Sequence, residues 1–223
     1  MRWPFAPEGR KWLAILVLVT VGGIAVGRWV PPAWQPAVWC FGVLSLSMGI
    51  IAAVFYRDPE RRSTAAPDLI LSAADGRVVA VETCNELRHM GGPAQRIAVF
   101  MHLGNVHVQR TPGSGKLLWT RQQSGRWLPA WSERAARENE QCWYAFEGEF
   151  GKYALVQIAG LVARRTRCWL QSGRVYPRGV RLGMITMGSE VDLYLPLSAS
   201  IQVRVGDRVR AGETVLGKWA ANG

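Results

Sequence analysis

The sequence predicts a mainly β (β-rich α+β) domain behind an N-terminal pair of apolar helices. Three observations predict it. Between Trp12 and Tyr56 the only charge is Arg28. Beyond Arg57, segments rich in Val, Ile, Leu and Trp recur about every 8–15 residues, separated by Gly, Pro, Asn, Asp or Ser. The run Ile201–Gly217 places Val203, Val205, Val209 and Val215 among polar residues, broken by Gly206-Asp207 and Ala211-Gly212-Glu213. Those glycines can take the positive φ that tight turns need.

The first element is a membrane anchor over residues 1–56, with helices expected at about 12–30 and 37–56. The second apolar run matches the ~20 residues a helix needs to cross the hydrocarbon core. Pro31, Pro32 and Pro36 break the chain between the two, so the expectation is a transmembrane helical hairpin. Arg2, Arg10 and Lys11 precede it, and Arg57, Arg61 and Arg62 follow it. Basic flanks favour the cytoplasmic side, which puts both ends and the polar domain on the cytoplasmic face of the cell (inner) membrane. The competing reading is a cleaved signal sequence followed by one anchor helix, which would export the domain.

The second element is a domain over residues 57–223. Strands are expected at Arg77–Glu82, Arg96–Met101, Val106–Arg110, Lys116–Thr120, Tyr153–Ile158, Arg181–Thr186, Val191–Leu195 and Ile201–Val205. Ser132–Glu138 reads as a short helix capped by Ser132, and Arg121–Trp131 as a loop or hairpin. The Ile201–Gly217 pattern resembles the strand-turn-strand of biotinyl and lipoyl carrier domains and their barrel-sandwich relatives. It lacks their Met-Lys-Met tip, and Lys218 lies outside the turn. The pattern therefore speaks for a barrel-sandwich-like fold and not for carrier function.

The chain carries 27 Lys plus Arg against 16 Asp plus Glu, a net charge of +11. A basic domain tethered to a bilayer is drawn to anionic lipid head groups. Nucleic acid is the usual rival partner for a basic chain, but no nucleic-acid motif accompanies the charge. Cys40, Cys84, Cys142 and Cys168 lack CxxC spacing, which speaks against zinc and thioredoxin-like chemistry. His89, His102 and His107 lack HExxH spacing, so a metal hydrolase has no support and no metal site is expected.

Three stretches carry the chemistry: Ser72-Ala-Ala-Asp-Gly76, Val106-His-Val-Gln-Arg110 and Gly183-Met-Ile-Thr-Met-Gly-Ser-Glu-Val-Asp192. Singly, each has a plain structural explanation: Asp-Gly is a turn, a strand histidine is usually structural, and Gly-Ser is a loop. Together with Phe55-Tyr-Arg-Asp-Pro-Glu-Arg61, Phe100-Met101, Glu138-Asn-Glu140, Ile158-Ala-Gly-Leu-Val-Ala-Arg-Arg165 and Arg178-Gly179, they resemble the phosphatidylserine decarboxylase proenzyme family. The resemblance is to its short, membrane-anchored, archaetidylserine decarboxylase-like branch. It runs from about residue 52 to residue 217, and its specificity lies in the order and spacing of the motifs.

The resemblance implies a chain that cleaves itself between Gly188 and Ser189. Ser189 becomes a covalent pyruvoyl cofactor, and a large chain, 1–188, pairs with a small chain, 189–223. It implies His107 as the base that activates Ser189, with Asp75 holding the imidazole in a serine-triad manner. It further implies decarboxylation of phosphatidylserine to phosphatidylethanolamine and CO2, and a possible homodimer. Asn105 stands where the family commonly has an acid, which leaves Asp75 as the clearer partner for His107 and admits His102 as a rival base. Glu190 and Asp192 read as solvated strand carboxylates, and Arg164 and Arg165 as candidates for the lipid's phosphate or carboxylate. The alternative from a different class is a non-enzymatic, membrane-anchored barrel-sandwich adaptor. That reading gives Asp75, His107 and Gly188-Ser189 no common purpose.

Overall fold

A computed structural model of the chain describes residues 4–126, 128, 138–160, 165–186 and 189–220, with Ser189 described by its backbone. The chain divides into two compact units, Met1–Pro59 and Glu60–Gly223.

The first unit is a pair of apolar helices, α1 (Pro7–Gly27) and α2 (Gln35–Tyr56), joined through a 3₁₀ turn at Pro32–Trp34. Helix α1 begins earlier than the apolar run suggests, because a proline at its start has the fixed φ that suits a first turn. It also ends earlier. Arg28 caps it, and Trp29 and Val30 belong to the turn. The helices run antiparallel, with Phe5 bridged to Arg57 and the Ala6 amide donating to the Tyr56 carbonyl at 2.8 Å. Thr20 and Ser45 share a hydrogen bond of 2.9 Å between the helices. Most other side chains on both helices are apolar and point outward: Leu18 is 71 % exposed and Val43 64 %. Exposed apolar surface on this scale asks for a bilayer or another cover.

The second unit is mainly β, as the sequence predicts. Its strands are β1 (Leu69–Leu71), β2 (Gly76–Glu86), β3 (Gly92–Met101), β4 (Val108–Arg110), β5 (Gly115–Gln123), β6 (Gln141–Gly148) and β7 (Gly151–Ala159). They continue with β8 (Thr166–Cys168), β9 (Val175–Tyr176), β10 (Arg181–Ile185), β11 (Ser189–Leu195), β12 (Ser200–Ile201), β13 (Arg208–Val209) and β14 (Val215–Lys218). A curled sheet has the order β13-β2-β3-β11-β7-β6-β5-β9. Two three-stranded sheets, β1-β14-β12 and β4-β10-β8, complete the layers. All three sheets share one core, to which Ile97, Leu155, Val191 and Leu193 contribute from the large sheet, Ile70 and Leu216 from one small sheet and Leu182 and Ile185 from the other.

Two glycines show why the sequence needs them. A side chain at Gly76 would meet the Phe100 carbonyl oxygen at 2.1 Å, so the start of β2 can approach β3 only without a Cβ. Gly212 has φ +71°, in the left-handed region, at the C-terminal turn where the sequence demanded a glycine. The alternation predicted there holds only in part. Residues 202–205 form no strand, and Val205 is 63 % exposed. The helix expected at Ser132–Glu138 falls, except for Glu138, outside the described residues.

Candidate active site

The site is built where the sheets meet. Strand β10 of a small sheet ends at Ile185, and β11, in the middle of the large sheet, starts at Ser189. Ser189 lies opposite Met101 of β3 on one side and Ala159 of β7 on the other. Met187 and Gly188 lie outside the described residues. The Asn139 side chain secures the end of β7. It is fully buried, and its Nδ2 donates to the carbonyls of Ala159, at 2.7 Å, and Leu128, at 2.8 Å.

His107 follows a tight turn after β3. The Asn105 amide donates to the His102 carbonyl at 2.9 Å, and the Asn105 side chain accepts from the His102 amide at 2.8 Å. The turn delivers His107, wholly buried, to the start of β4. Its carbonyl accepts the Ile185 amide at 3.3 Å, so its main chain sits beside the segment leading to residue 188. Its Nδ1 lies 2.9 Å from the Asn105 carbonyl oxygen. A carbonyl can only accept, so Nδ1 donates the hydrogen of this bond.

Asp75 stands in the turn before β2. Ser72 Oγ donates to the Ala74 carbonyl at 2.7 Å, the Ala73 carbonyl accepts from the Arg110 amide at 2.9 Å, and the Ser72 carbonyl accepts from the Gly212 amide at 2.7 Å. The Asp75 carboxylate takes a two-pronged grip from Arg61, at 2.5 and 2.8 Å, and the Ala211 amide at 2.8 Å. Arg61 also donates to the Ala211 carbonyl at 2.9 Å. The expected orienting partner of the imidazole was Asp75. At Nδ1 that place is filled by the Asn105 carbonyl, and the Asp75 oxygens are held by Arg61 and Ala211. Sequence reading placed Arg61 in a motif and on a basic flank, without a partner.

Glu190 and Asp192 are not the solvated carboxylates the strand pattern suggested. The Asp192 side chain is 2 % exposed and that of Glu190 12 %. Both bind Arg96 of β3, whose Nε and Nη2 donate to Asp192 at 2.8 and 3.0 Å and whose Nη2 donates to Glu190 at 2.8 Å. Nη1 reaches Glu82 of β2 at 2.7 Å. Burial, and then the neighbouring Asp192, push the Glu190 carboxyl up to about 8 against the pull of Arg96. Trp143 and Tyr194 stack at 5.7 Å on this face of the sheet.

The other candidates lie apart. His102 is exposed in its turn, its ring edge-on to Phe100. His89 is bound to the Phe146 carbonyl at 2.9 Å. Arg165 is exposed and uses its carbonyl to hold Thr186, while Arg164 lies outside the described residues. Among the described residues no group of three or more His, Cys, Asp or Glu gathers as metal ligands would. A chain of buried amides escaped the sequence reading. Tyr144 donates to Gln157 at 2.8 Å, Gln157 to Gln109 at 2.7 Å, and Gln109 reaches the Met101 sulfur at 3.5 Å. Gln109 follows His107 by two residues and Met101 pairs with Ser189, so this chain links the two sides of the site.

The family model described as phosphatidylserine decarboxylase matches residues 49–217. A phosphatidylserine decarboxylase proenzyme of Geobacter metallireducens is 39 % identical over 215 residues, covering 96 % of each chain. One from Desulfotalea psychrophila is 42 % identical over 165 residues, 74 % of this chain and 77 % of the relative. One from Geobacter sulfurreducens is 37 % identical over 216 residues, 96 % of each. The matched span takes in the Asp75 turn, His107 and the start of β11, and the chain belongs to the phosphatidylserine decarboxylase family.

Proposed function

We propose that this chain is a membrane-anchored proenzyme that cleaves itself between Gly188 and Ser189 and then decarboxylates phosphatidylserine to phosphatidylethanolamine. The observation that carries the reading is the placement of Ser189 as the first residue of a central strand, four residues past the Ile185 amide that binds the His107 main chain. The pyruvoyl group fits this position because it is made from the serine itself. A break before residue 189 leaves β11 seated between β3 and β7, so the small chain 189–223 stays with the large chain 1–188 without a disulfide.

Maturation needs a base, since a serine hydroxyl is a weak nucleophile by itself. In this reading His107, with Nδ1–H committed to Asn105, is the base that takes the Ser189 hydroxyl proton. The Ser189 oxygen attacks the Gly188 carbonyl carbon. The C–N bond breaks as the Ser189 nitrogen takes the proton, and the amide becomes an ester. Loss of the Ser189 Cα proton expels the Gly188 carboxylate, and water then releases ammonia and leaves the keto group. Asp75, paired with Arg61, braces the turn whose Ala73 carbonyl holds the Arg110 amide of β4, the strand that follows His107.

In the decarboxylase reaction the pyruvoyl group supplies an electron sink for the pair left when CO2 departs. His107 returns a proton to the carbon that lost CO2. Helices α1 and α2 form the transmembrane anchor of residues 1–56. The basic residues at both ends set residues 57–223 on the cytoplasmic face of the inner membrane, against anionic lipid.

Mass analysis of the purified protein under denaturing conditions tests this reading. The expected result is a fragment beginning at residue 189 with a blocked, ketone-reactive end, absent in Ser189→Ala, together with CO2 release from phosphatidylserine vesicles. A wild-type chain that remains intact, or a Ser189→Ala variant that still decarboxylates, refutes it.

A further inference from the structure

Strand β11 presents Val191, Leu193 and Leu195 to the core and Glu190, Asp192 and Tyr194 to the other face. Arg96 lies opposite Tyr194 in the β3–β11 register, yet its guanidinium turns along the strand toward the start of β11. There it holds Asp192 by two bonds, at 2.8 and 3.0 Å, and Glu190 by one at 2.8 Å. The Tyr194 hydroxyl supports Asp192 at 3.2 Å, and Glu82 holds the outer edge of the guanidinium at 2.7 Å.

The location of these groups in the chain gives the cluster a second meaning. Arg96 and Glu82 precede the Gly188-Ser189 bond, and Glu190 and Asp192 follow it. Once that bond is cut, the guanidinium joins two separate polypeptides, one residue from the new terminus. Strand ends without a covalent continuation fray unless tied down. Backbone pairing to β3 and β7 holds the first residue of β11, and the guanidinium adds a side-chain anchor one residue from the end. A planar guanidinium with five fixed donors suits the task, because it binds two carboxylates in set directions.

We propose that Arg96, through Glu190 and Asp192, is the positioning residue for the reactive terminus of the small chain. It holds residue 189 at the sheet end after the peptide link is gone. The inference rests on the cleavage reading above. Its consequence is kinetic. Misplacement of a reacting group by about 1 Å can cost ~100-fold in rate, whereas a cluster that only stabilised the fold would change the number of working sites and not their speed.

The test is Arg96→Gln in the full chain. Small fragment is measured by denaturing mass analysis, reactive termini are counted with a ketone-specific label, and decarboxylation is expressed per labelled terminus. The expected result is a fragment that still forms, kcat per terminus lower by about 10–100-fold, KM within about twofold, and partial recovery in Arg96→Lys. An unchanged kcat per terminus overturns the proposal and leaves the cleavage reading intact. A wild type that yields no fragment defeats the cleavage reading, and this proposal falls with it. Should Arg96→Gln fail to mature, the same measurement on Glu190→Ala, which removes the acceptor of the Arg96 bond, decides: a drop per terminus supports the proposal, and wild-type speed overturns it.

Discussion

Two arginines in the β domain each tie residues before position 188 to residues after it, and they do so in different ways. Arg61 meets the buried Asp75 in a two-pronged grip, with the more exposed Glu213 at 3.8 Å, and Arg61 and Asp75 also bind the main chain at Ala211. The Arg96 guanidinium meets three carboxyl groups, Glu82, Glu190 and Asp192, and reaches the later segment through its side chains. The first site pairs one buried cation with one buried anion, with a neutral amide in support and the second acid, Glu213, exposed to solvent. The second has more acid than its cation can hold ionised out of water, so one carboxyl, Glu190, keeps its proton to about pH 8. Burial of Glu190 beside Asp192 makes the Arg96 site responsive to pH.

The largest effect should come from breaking the Arg61 site. Arg61→Gln leaves the Asp75 carboxylate buried with only the Ala211 amide to hold it. Losing one partner of a buried pair costs about 3–5 kcal/mol. Chemical unfolding in detergent, on a Ser189→Ala background that keeps one chain, should show a loss of that size. A loss under ~1 kcal/mol would mean that water reaches Asp75 and the two sites do not differ as described. Asp192→Asn should cost less, about 2–3 kcal/mol, because Arg96 keeps Glu190 and Glu82 as partners. If Asp192→Asn matches or exceeds Arg61→Gln, the ranking of the two sites is reversed.

The sequence foretold these sites unevenly, for physical reasons. Strands β2, β3, β7, β10 and β11 were legible because their sequences are rich in Val, Ile or Leu and stand between turn residues. Strand β6 was not. Gln141–Gly148 holds no Val, Ile or Leu, so the β-branched and aliphatic run that marks the other strands is missing. Ser189, His107 and Asp75 were legible only through the order and spacing of motifs, because nothing in their local pattern separates them from turn and core residues. The partners were illegible. Arg61 and Asp75 are 14 residues apart and Arg96 and Glu190 are 94 apart, distances that no local periodicity spans. Glu190 and Asp192 read as solvated because they alternate with apolar residues. The strand does turn them away from the core, but Arg96 covers them there.

The pH response of the Arg96 site follows from Glu190. Its carboxyl is raised from an ordinary 4.5 to about 8 by burial and by Asp192. Between those values the folded chain holds a proton that the unfolded chain has released, so stability falls as pH rises through the window. Above about pH 8 the full cost of the buried charge is present. Glu190→Gln removes the ionisation, so unfolding free energy should vary less with pH across this window. At the alkaline end the variant should gain about 1–3 kcal/mol over its parent, and below about pH 5 the two should be alike. A parent whose stability is level from about pH 5 to about pH 8 would show that Glu190 ionises as freely as an exposed carboxylate.

The smallest effect belongs to Glu82, and it tests whether burial or charge count governs the cluster. Its side chain is 52 % exposed, against 2 % for Asp192, although both bind the same guanidinium at 2.7–2.8 Å. Water screens the outer pair and is available to replace it, so Glu82→Gln should cost about 0–1 kcal/mol. Removing that charge also relieves some of the acid excess. The steep part of the stability–pH curve should then shift toward lower pH only slightly, because Glu82 is not among the leading causes of the raised Glu190 value. A cost as large as that of Asp192→Asn would mean that the number of carboxylates, and not their exclusion from water, sets the strength of the Arg96 site.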